Sequence, residues 1–172
     1  MKDFKNKVAA ITGAASGMGR TPALELARRG CHLALSDVNE KGLAETAALA
    51  GKLGVKVTTK KLDVANREAF FAWADEVVRD HGKVNLIFNN AGVALGAFIE
   101  TVKPEDFEWI MGINFWGVVH GCQAFLPQLR AQPAATIVNV SSVFAMVSMP
   151  TQSIYNASKA AVRAFSDALR EE

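Results

Sequence analysis

Five short apolar runs recur along this chain: KVAAIT (7–12), CHLALS (31–36), VKVTTKKL (55–62), VNLIFNN (84–90) and ATIVNV (135–140). Their length and β-branched content predict strands. The intervals of 10–25 residues between them carry apolar residues three and four apart, as in REAFFAWADEVVRDHG (67–82), and predict helices. This alternation constrains the fold more than any other feature. Strands separated by a helix are joined by crossovers rather than hairpins, so they run parallel, and the expected class is α/β with a doubly wound sheet. Pro22 is expected in the first turn of a helix, with Gly30, Gly54 and Gly82 at helix ends. No repeat, low-complexity tract or linker interrupts the pattern, so residues 1–172 are read as one domain.

Composition narrows the function classes. Half of the chain is apolar and 21% is charged, which suits a globular domain with a sizeable core. Its 19 basic and 17 acidic side chains are scattered without long runs, which gives no footprint for nucleic acid or a membrane surface. Cys31 and Cys122 sit far apart in apolar segments and are expected as packed, reduced thiols of a cytoplasmic protein. His32, His81 and His120 have no ligand spacing, so no metal is expected. The start, MKDFKNKVAAITGAASG, has too short an apolar run for a signal peptide. WIMGINFWGVVHGCQAFL (109–126) has 18 residues without a formal charge, at the lower edge of a membrane span. Its Gly, Asn, His and Gln residues favour a helix buried on two sides.

The first predicted strand runs into TGAASGMGR (12–20) and then a helix. Gly13, Gly17 and Gly19, with Ser16 and Met18 between them, form a turn that directs backbone N–H groups and a helix N-terminus above the strand. That suits a pyrophosphate, because the partial charge is fixed and no Cβ holds the anion away. Tight helix–strand packing alone would also use such glycines. The spacing is GxxxGxG rather than the commoner GxGxxG. The second strand ends at Asp37, 18 residues after Gly19. A carboxylate there can take both ribose hydroxyls of an adenosine and would repel a 2′-phosphate, and no arginine follows at Val38 or Asn39. The expected cofactor is therefore NAD, with NADP less favoured. The competing role for Asp37 is an exposed carboxylate or helix N-cap before NEKGLAETAALA.

Taken together, these stretches resemble the short-chain dehydrogenase/reductase family over residues 7 to about 170. TGAASGMG is similar to its cofactor loop, LDV (62–64) to its adenine-contacting turn, NNAG (89–92) to the stretch after its fourth strand, and VNVSS (138–142) with YNASK (155–159) to its catalytic segments. The resemblance implies a Rossmann-like sheet of order 3-2-1-4-5, with the family's strands 6 and 7 absent. It implies cofactor contacts at Asp63, Val64, Asn90, Ala91 and Gly92, and catalytic roles for Asn114, Ser142, Tyr155 and Lys159. Lys159 would hold nicotinamide ribose hydroxyls as well, and Asn114 would anchor a water linking Lys159 to solvent.

The chemistry of that set has its own logic. Tyr155 and Lys159 at i, i+4 share one helix face. A free phenol titrates near 10, too high for a base at neutral pH, and an ammonium beside it favours the phenolate. Ser142 ends the fifth strand, at the carboxyl edge where ligands of such sheets bind. Alternatives remain at each position: Ser141 could be the reactive serine, Asn114 could simply bond its helix backbone or a neighbouring element, and Asn89 with Asn90 could chiefly stitch the sheet.

The expected function is hydride transfer between NAD(H) and a secondary alcohol or its ketone. The rivals are a non-catalytic dinucleotide-binding or scaffold module and an epimerase or dehydratase. The chain stops within the helix that carries Tyr155 and Lys159, so it is expected to be C-terminally incomplete relative to the family, with the fifth strand left as a sheet edge beside Ile137, Val138 and Val140. The apolar helix has large side chains on more than one face, including Trp109, Ile113, Trp116 and Phe125. A homodimer or homotetramer through helices 104–130 and 152–170 is expected.

Overall fold

The structure, a computed structural model, describes residues 3–172. The elements run β1 (Val8–Thr12), α1 (Gly17–Arg28), β2 (His32–Asp37), α2 (Glu40–Gly51), β3 (Val57–Lys61), α3 (Arg67–His81), β4 (Leu86–Asn89), α4 (Pro104–Met111), α5 (Gly117–Arg130), β5 (Thr136–Asn139) and α6 (Ser153–Glu171). The strands form one parallel sheet in the order β3-β2-β1-β4-β5, as the alternation and the resemblance predicted. Register is fixed across the centre by Ala10 opposite both Ala34 and Ile87, and by Ile87 opposite Ile137.

Successive residues of a strand point to opposite faces, and the core divides accordingly. Ile11, Leu33, Leu35 and Leu86 pack with Ala23, Leu26 and Leu43 of α1 and α2. Val8, Ala10, Ala34 and Ile87 face the other way, onto Phe70, Trp73 and Val77 of α3 and Phe125 of α5. Each large aliphatic side chain fully buried this way contributes about 1.5–3 kcal/mol. The rings of Phe70, Trp73 and Phe125 meet edge to face at 5.4–6.4 Å. Helix α6 packs on α5 through Val162, Phe165, Val118 and Cys122.

Caps mark the helix starts and stops. Asn39 accepts the Gly42 N–H at the start of α2, and Asn66 accepts the Ala69 N–H at the start of α3. Gly30, Gly54 and Gly82 all adopt φ of +75° to +77°, where a Cβ is strained, so the glycines end the helices as expected. Pro22 departs from expectation. It lies inside α1, in the second turn, because the helix starts at Gly17. Its missing N–H leaves only the carbonyl of Met18 without a helical donor, and Met18 is 74% exposed, so solvent can satisfy it.

The long apolar segment is a helix in three parts: α4, a five-residue π turn over Gly112–Trp116, and α5. Among the described residues, no helix is long and apolar enough to cross a membrane. Strand β5 is a sheet edge, and all four of its residues are partly exposed.

Candidate active site

In a sheet of this order the chain reverses direction of winding between β1 and β4, and the loops that leave their carboxyl ends diverge there to open a crevice. Thr12 closes the floor. Its hydroxyl accepts the N–H groups of Asn90 and Ala91 at 3.0 and 3.1 Å. Asn90 returns the contact, its side-chain amide donating to the carbonyls of Thr12 and Gly13, each at 3.1 Å. Asn90 thus stitches the two loops together, the structural role weighed for it, while also lining the crevice.

The crevice holds about 350 Å³ and brings together Gly13, Ser16, Gly17, Met18, Asp37, Asp63, Val64, Asn90, Ala91 and Gly92. These come from four separate loops. Gly19, the remaining loop glycine, does not line it. A Cβ on Gly19 would lie 1.9 Å from the Gly13 carbonyl oxygen, so this glycine exists for the close approach of α1 to the turn. Gly17 is different: it has φ +48° and open space where a side chain would project. The first glycine-rich turn therefore serves both purposes, packing at Gly19 and an open cradle at Gly17.

Asp37 is the last residue of β2 and lies on the crevice wall. Its two carboxylate oxygens accept the N–H groups of Ala15 and Asn39, each at 2.9 Å. The helix N-cap is Asn39, so Asp37 is not a cap. Arg20, which the sequence reading passed over, holds the turn from beneath: its guanidinium donates to the carbonyls of Ala15 and Gly42 and to Glu45, and its Nε donates to Thr46. The buried Thr46 hydroxyl in turn donates to the Ala14 carbonyl at 2.9 Å.

A second, smaller cavity of about 160 Å³ adjoins the first and shares Met18, Asn90, Gly92 and Val93 with it. Tyr155, Lys159 and Ser141 complete its wall. Lys159 is 4% exposed and donates to the Val140 carbonyl at 2.9 Å. Burial lowers its pKa from the usual lysine value. Its Nζ lies 5.9 Å from the centre of the Tyr155 ring, so the tyrosine and the cation meet on one helix face. Asn114 sits inside the π turn and is fully buried. It clasps Val93 by both peptide groups, at 2.8 and 2.9 Å, and donates to the Ser158 hydroxyl at 3.0 Å. A Cβ on Gly92 would lie 3.2 Å from Asn114 Oδ1 and 3.4 Å from Lys159 Nζ, so all three share one corner.

The two serines divide differently from expectation. Ser141 lines the cavity, but its hydroxyl donates to the Lys159 carbonyl at 2.8 Å. Ser142 caps the short 3-10 turn at Val143–Ala145, accepting the Phe144 N–H at 3.1 Å. Ser142 itself lies on neither cavity wall, one residue beyond Ser141.

Helix α5 approaches the sheet unusually closely. A Cβ on Gly121 would fall 2.0 Å from Asn89 Oδ1, and one on Gly117 2.7 Å from a Val64 methyl. Asn89 itself donates to Asn139 at 2.9 Å, tying β4 to β5, and stays out of both cavities. His120 also serves structure, bonding the Val64 carbonyl at 3.0 Å.

Known proteins are similar to this chain in sequence and fold. The family model described as short chain dehydrogenase matches residues 7–172. An oxidoreductase of Mycobacterium tuberculosis, SadH, is 49% identical over 172 residues, covering 100% of this chain and 62% of its own length. The 3-oxoacyl-[acyl-carrier-protein] reductase FabG of Thermotoga maritima is 34% identical over 159 residues, which is 92% of this chain and 65% of that protein. A crystal structure of a short chain dehydrogenase/reductase from Burkholderia phymatum in complex with NAD superposes with a TM-score of 0.95 at 43% identity, covering 98% of this chain and 60% of that one. The chain thus spans about three-fifths of the length of SadH and of the Burkholderia protein.

Proposed function

This chain belongs to the short-chain dehydrogenase family, and on that premise we propose that it carries the NAD(H) site and catalytic residues of an oxidoreductase acting on a secondary alcohol or its ketone. The observation that carries the proposal is the junction of the two cavities at Gly92 and Val93. One is lined by the glycine turn and Asp37, the other by Tyr155 and Lys159, so a dinucleotide laid along the first would end beside the second. NAD-bound relatives of the same fold support the choice of cofactor.

The residues present fit such a group. The turn at Gly17 is open where a side chain would block a phosphate, and Asp37 presents a carboxylate to the adenosine ribose. Asp63, Val64 and the Asn90–Gly92 backbone line the same wall. When bound, the nicotinamide supplies or accepts the hydride. Tyr155 gives the proton to the substrate oxygen in reduction and takes it in oxidation. The Lys159 side chain faces the tyrosine from the next helical turn, its Nζ 5.9 Å from the ring centre. Ser142 offers its hydroxyl to the same oxygen. Asn114 fixes Val93 and, through Ser158, the start of the Tyr155 turn, since the Ser158 hydroxyl donates to the Tyr155 carbonyl at 2.8 Å.

The test is a fluorescence titration with NADH and NADPH, followed by a ketone and aldehyde panel read by NADH absorbance. Tyr155→Phe should abolish turnover with cofactor affinity nearly unchanged, because only the proton-transfer group is lost. A chain that binds NADH but reduces nothing would favour the non-catalytic dinucleotide-binding reading for these 172 residues.

A further inference from the structure

Two loops beside the Tyr155 cavity hold large apolar side chains out of the core. Phe98 and Ile99, each 64% exposed, come from the loop after β4; Val143, Met146, Val147 and Met149, 47–66% exposed, come from the segment between β5 and α6. Isolated exposed apolar residues are ordinary, but six on two neighbouring loops are not. The loops are tied to each other and to the helix of the site. The Ala97 N–H donates to the Thr151 carbonyl at 2.8 Å, and Asn156, next to Tyr155, donates to the Val147 carbonyl at 3.0 Å. Thr151 is held at φ +66°, a conformation that a non-glycine residue keeps only when its surroundings impose it.

Both loops run directly from the cavity wall. Val93 and Ala94 line it together with Tyr155, and the Phe144 ring stands edge-on to the Tyr155 ring at 6.0 Å. None of the six lines the cavity itself; they lie on the loops that leave its wall, as an outer apolar rim. Among the described residues, these two loop segments carry no counter-charge for an anion. No ionisable side chain occurs from Val140 to Ile154, nor from Gly92 to Ile99, and the next residue is the acidic Glu100. Lys159 is the only cation on the cavity wall, and it is buried and bonded to the Val140 carbonyl. A carboxylate or phosphate on the substrate would lose water here without gaining a partner, next to a like charge.

We infer that the substrate is a neutral ketone or secondary alcohol with apolar substituents, seated on the rim of Phe98, Ile99, Val143, Met146, Val147 and Met149, and that carbonyl compounds whose substituents carry a carboxylate or phosphate onto this rim are rejected. The two methionines adapt to shape and the two valines beside them offer no polar readout, so the site selects for apolarity more than for one outline. The inference rests on the proposed role of Tyr155.

The experiment uses the full chain and a matched pair, acetophenone and its para-carboxylate, with binding measured by saturation-transfer NMR and calorimetry in the presence and absence of NADH. The neutral ketone should bind at least about tenfold more tightly, and Val147→Lys should narrow or reverse that gap by giving the carboxylate a partner. Equal binding of the pair, binding of neither, or a gap that Val147→Lys leaves unchanged would overturn the inference. The two arms separate it from the function proposed above: a chain that shows the preference but binds no NADH keeps the substrate class and loses the cofactor assignment. A chain that binds NADH without the preference does the opposite.

Discussion

Asp37 and Arg20 grip the same residue by its two peptide groups: the Asp37 carboxylate accepts the Ala15 N–H at 2.9 Å, and the Arg20 guanidinium donates to the Ala15 carbonyl. The glycine-rich turn is thus not held by its glycines alone. A strand end and two helices set its shape, and the residue proposed to read the adenosine ribose is one of the clamps. Recognition and shape are coupled at Asp37.

That coupling predicts a compound effect for Asp37→Ala. The variant loses the repulsion of a 2′-phosphate, so the preference for NADH over NADPH should narrow by about tenfold or more. It also releases the Ala15 and Asn39 N–H groups, so NADH affinity should itself fall. Fluorescence titration of both cofactors reads the two effects separately. Tighter NADPH than NADH binding by the unmodified chain would remove Asp37 from its assigned role.

Thr46 should matter although it touches no part of the crevice. Thr46→Val keeps the shape of the buried side chain but leaves the Ala14 carbonyl and the Arg20 Nε without their partner, a cost of about 1–3 kcal/mol. Urea unfolding should show that loss, and NADH affinity should fall with it because the turn is no longer fixed. If stability fell while NADH affinity stayed at the unmodified level, the turn would not depend on this network.

The difference between Asp37 and Arg20 shows how far the sequence could be read. Asp37 was legible because a strand-ending carboxylate at that distance from a glycine turn has a specific chemical use. Arg20 was not, because its partners Gly42, Glu45 and Thr46 lie on a different helix and become neighbours only through the strand order. The same holds for Asn114. Its place within an apolar helix was visible, but its clasp on Val93 depends on the π turn, which no spacing announced. The strand positions were legible because hydrophobic alternation is local, whereas the sheet order followed only from the family resemblance. Phe125 was grouped with the outward apolar residues of its helix and is in fact fully buried against the sheet, and Ile113 lines the crevice. Periodicity finds that a helix has two apolar faces without saying which residue belongs to which.

The two thiols give a pH prediction with a definite sign. Burial pushes Cys31 up from 9.0 to about 12 and Cys122 from 9.0 to about 11. The folded state therefore keeps protons that the unfolded chain releases above pH 9.0, so these groups contribute stability that is fully present below pH 9.0 and is lost as pH rises towards 11–12. Cys31→Ala should flatten that decline relative to the unmodified chain in urea unfolding across this range. Both thiols should be inert to a disulfide reagent in the native state and react on unfolding. An identical slope in the variant would show that Cys31 is not held in its protonated form.

The outward face of the α4–α5 helix predicts self-association. With Phe125 in the core, the residues left in water are Phe107, Trp109 and Trp116, at 38%, 46% and 52% exposure, on one continuous helical run. Phe107, Glu108, Met111 and Trp116 line a surface hollow, and the Trp116 ring stacks on His120 at 6.2 Å, which holds it in one orientation. Large aromatic rings beside a hollow are what an interface core requires, and the stacked Trp116 is already held in place. The simplest arrangement that covers the patch with a copy of itself is an isologous pair, with α6 contributing at the side because it packs against α4. Size exclusion coupled to light scattering should therefore give a dimer, or a dimer of dimers, at micromolar concentration. Trp109→Glu combined with Trp116→Glu should shift it to monomer. The exposed edge of β5 is the competing surface, since its unpaired backbone can recruit a strand from another copy. Association that survives the double tryptophan replacement would assign the contact to that edge, and a monomer before any replacement would refute the helical interface.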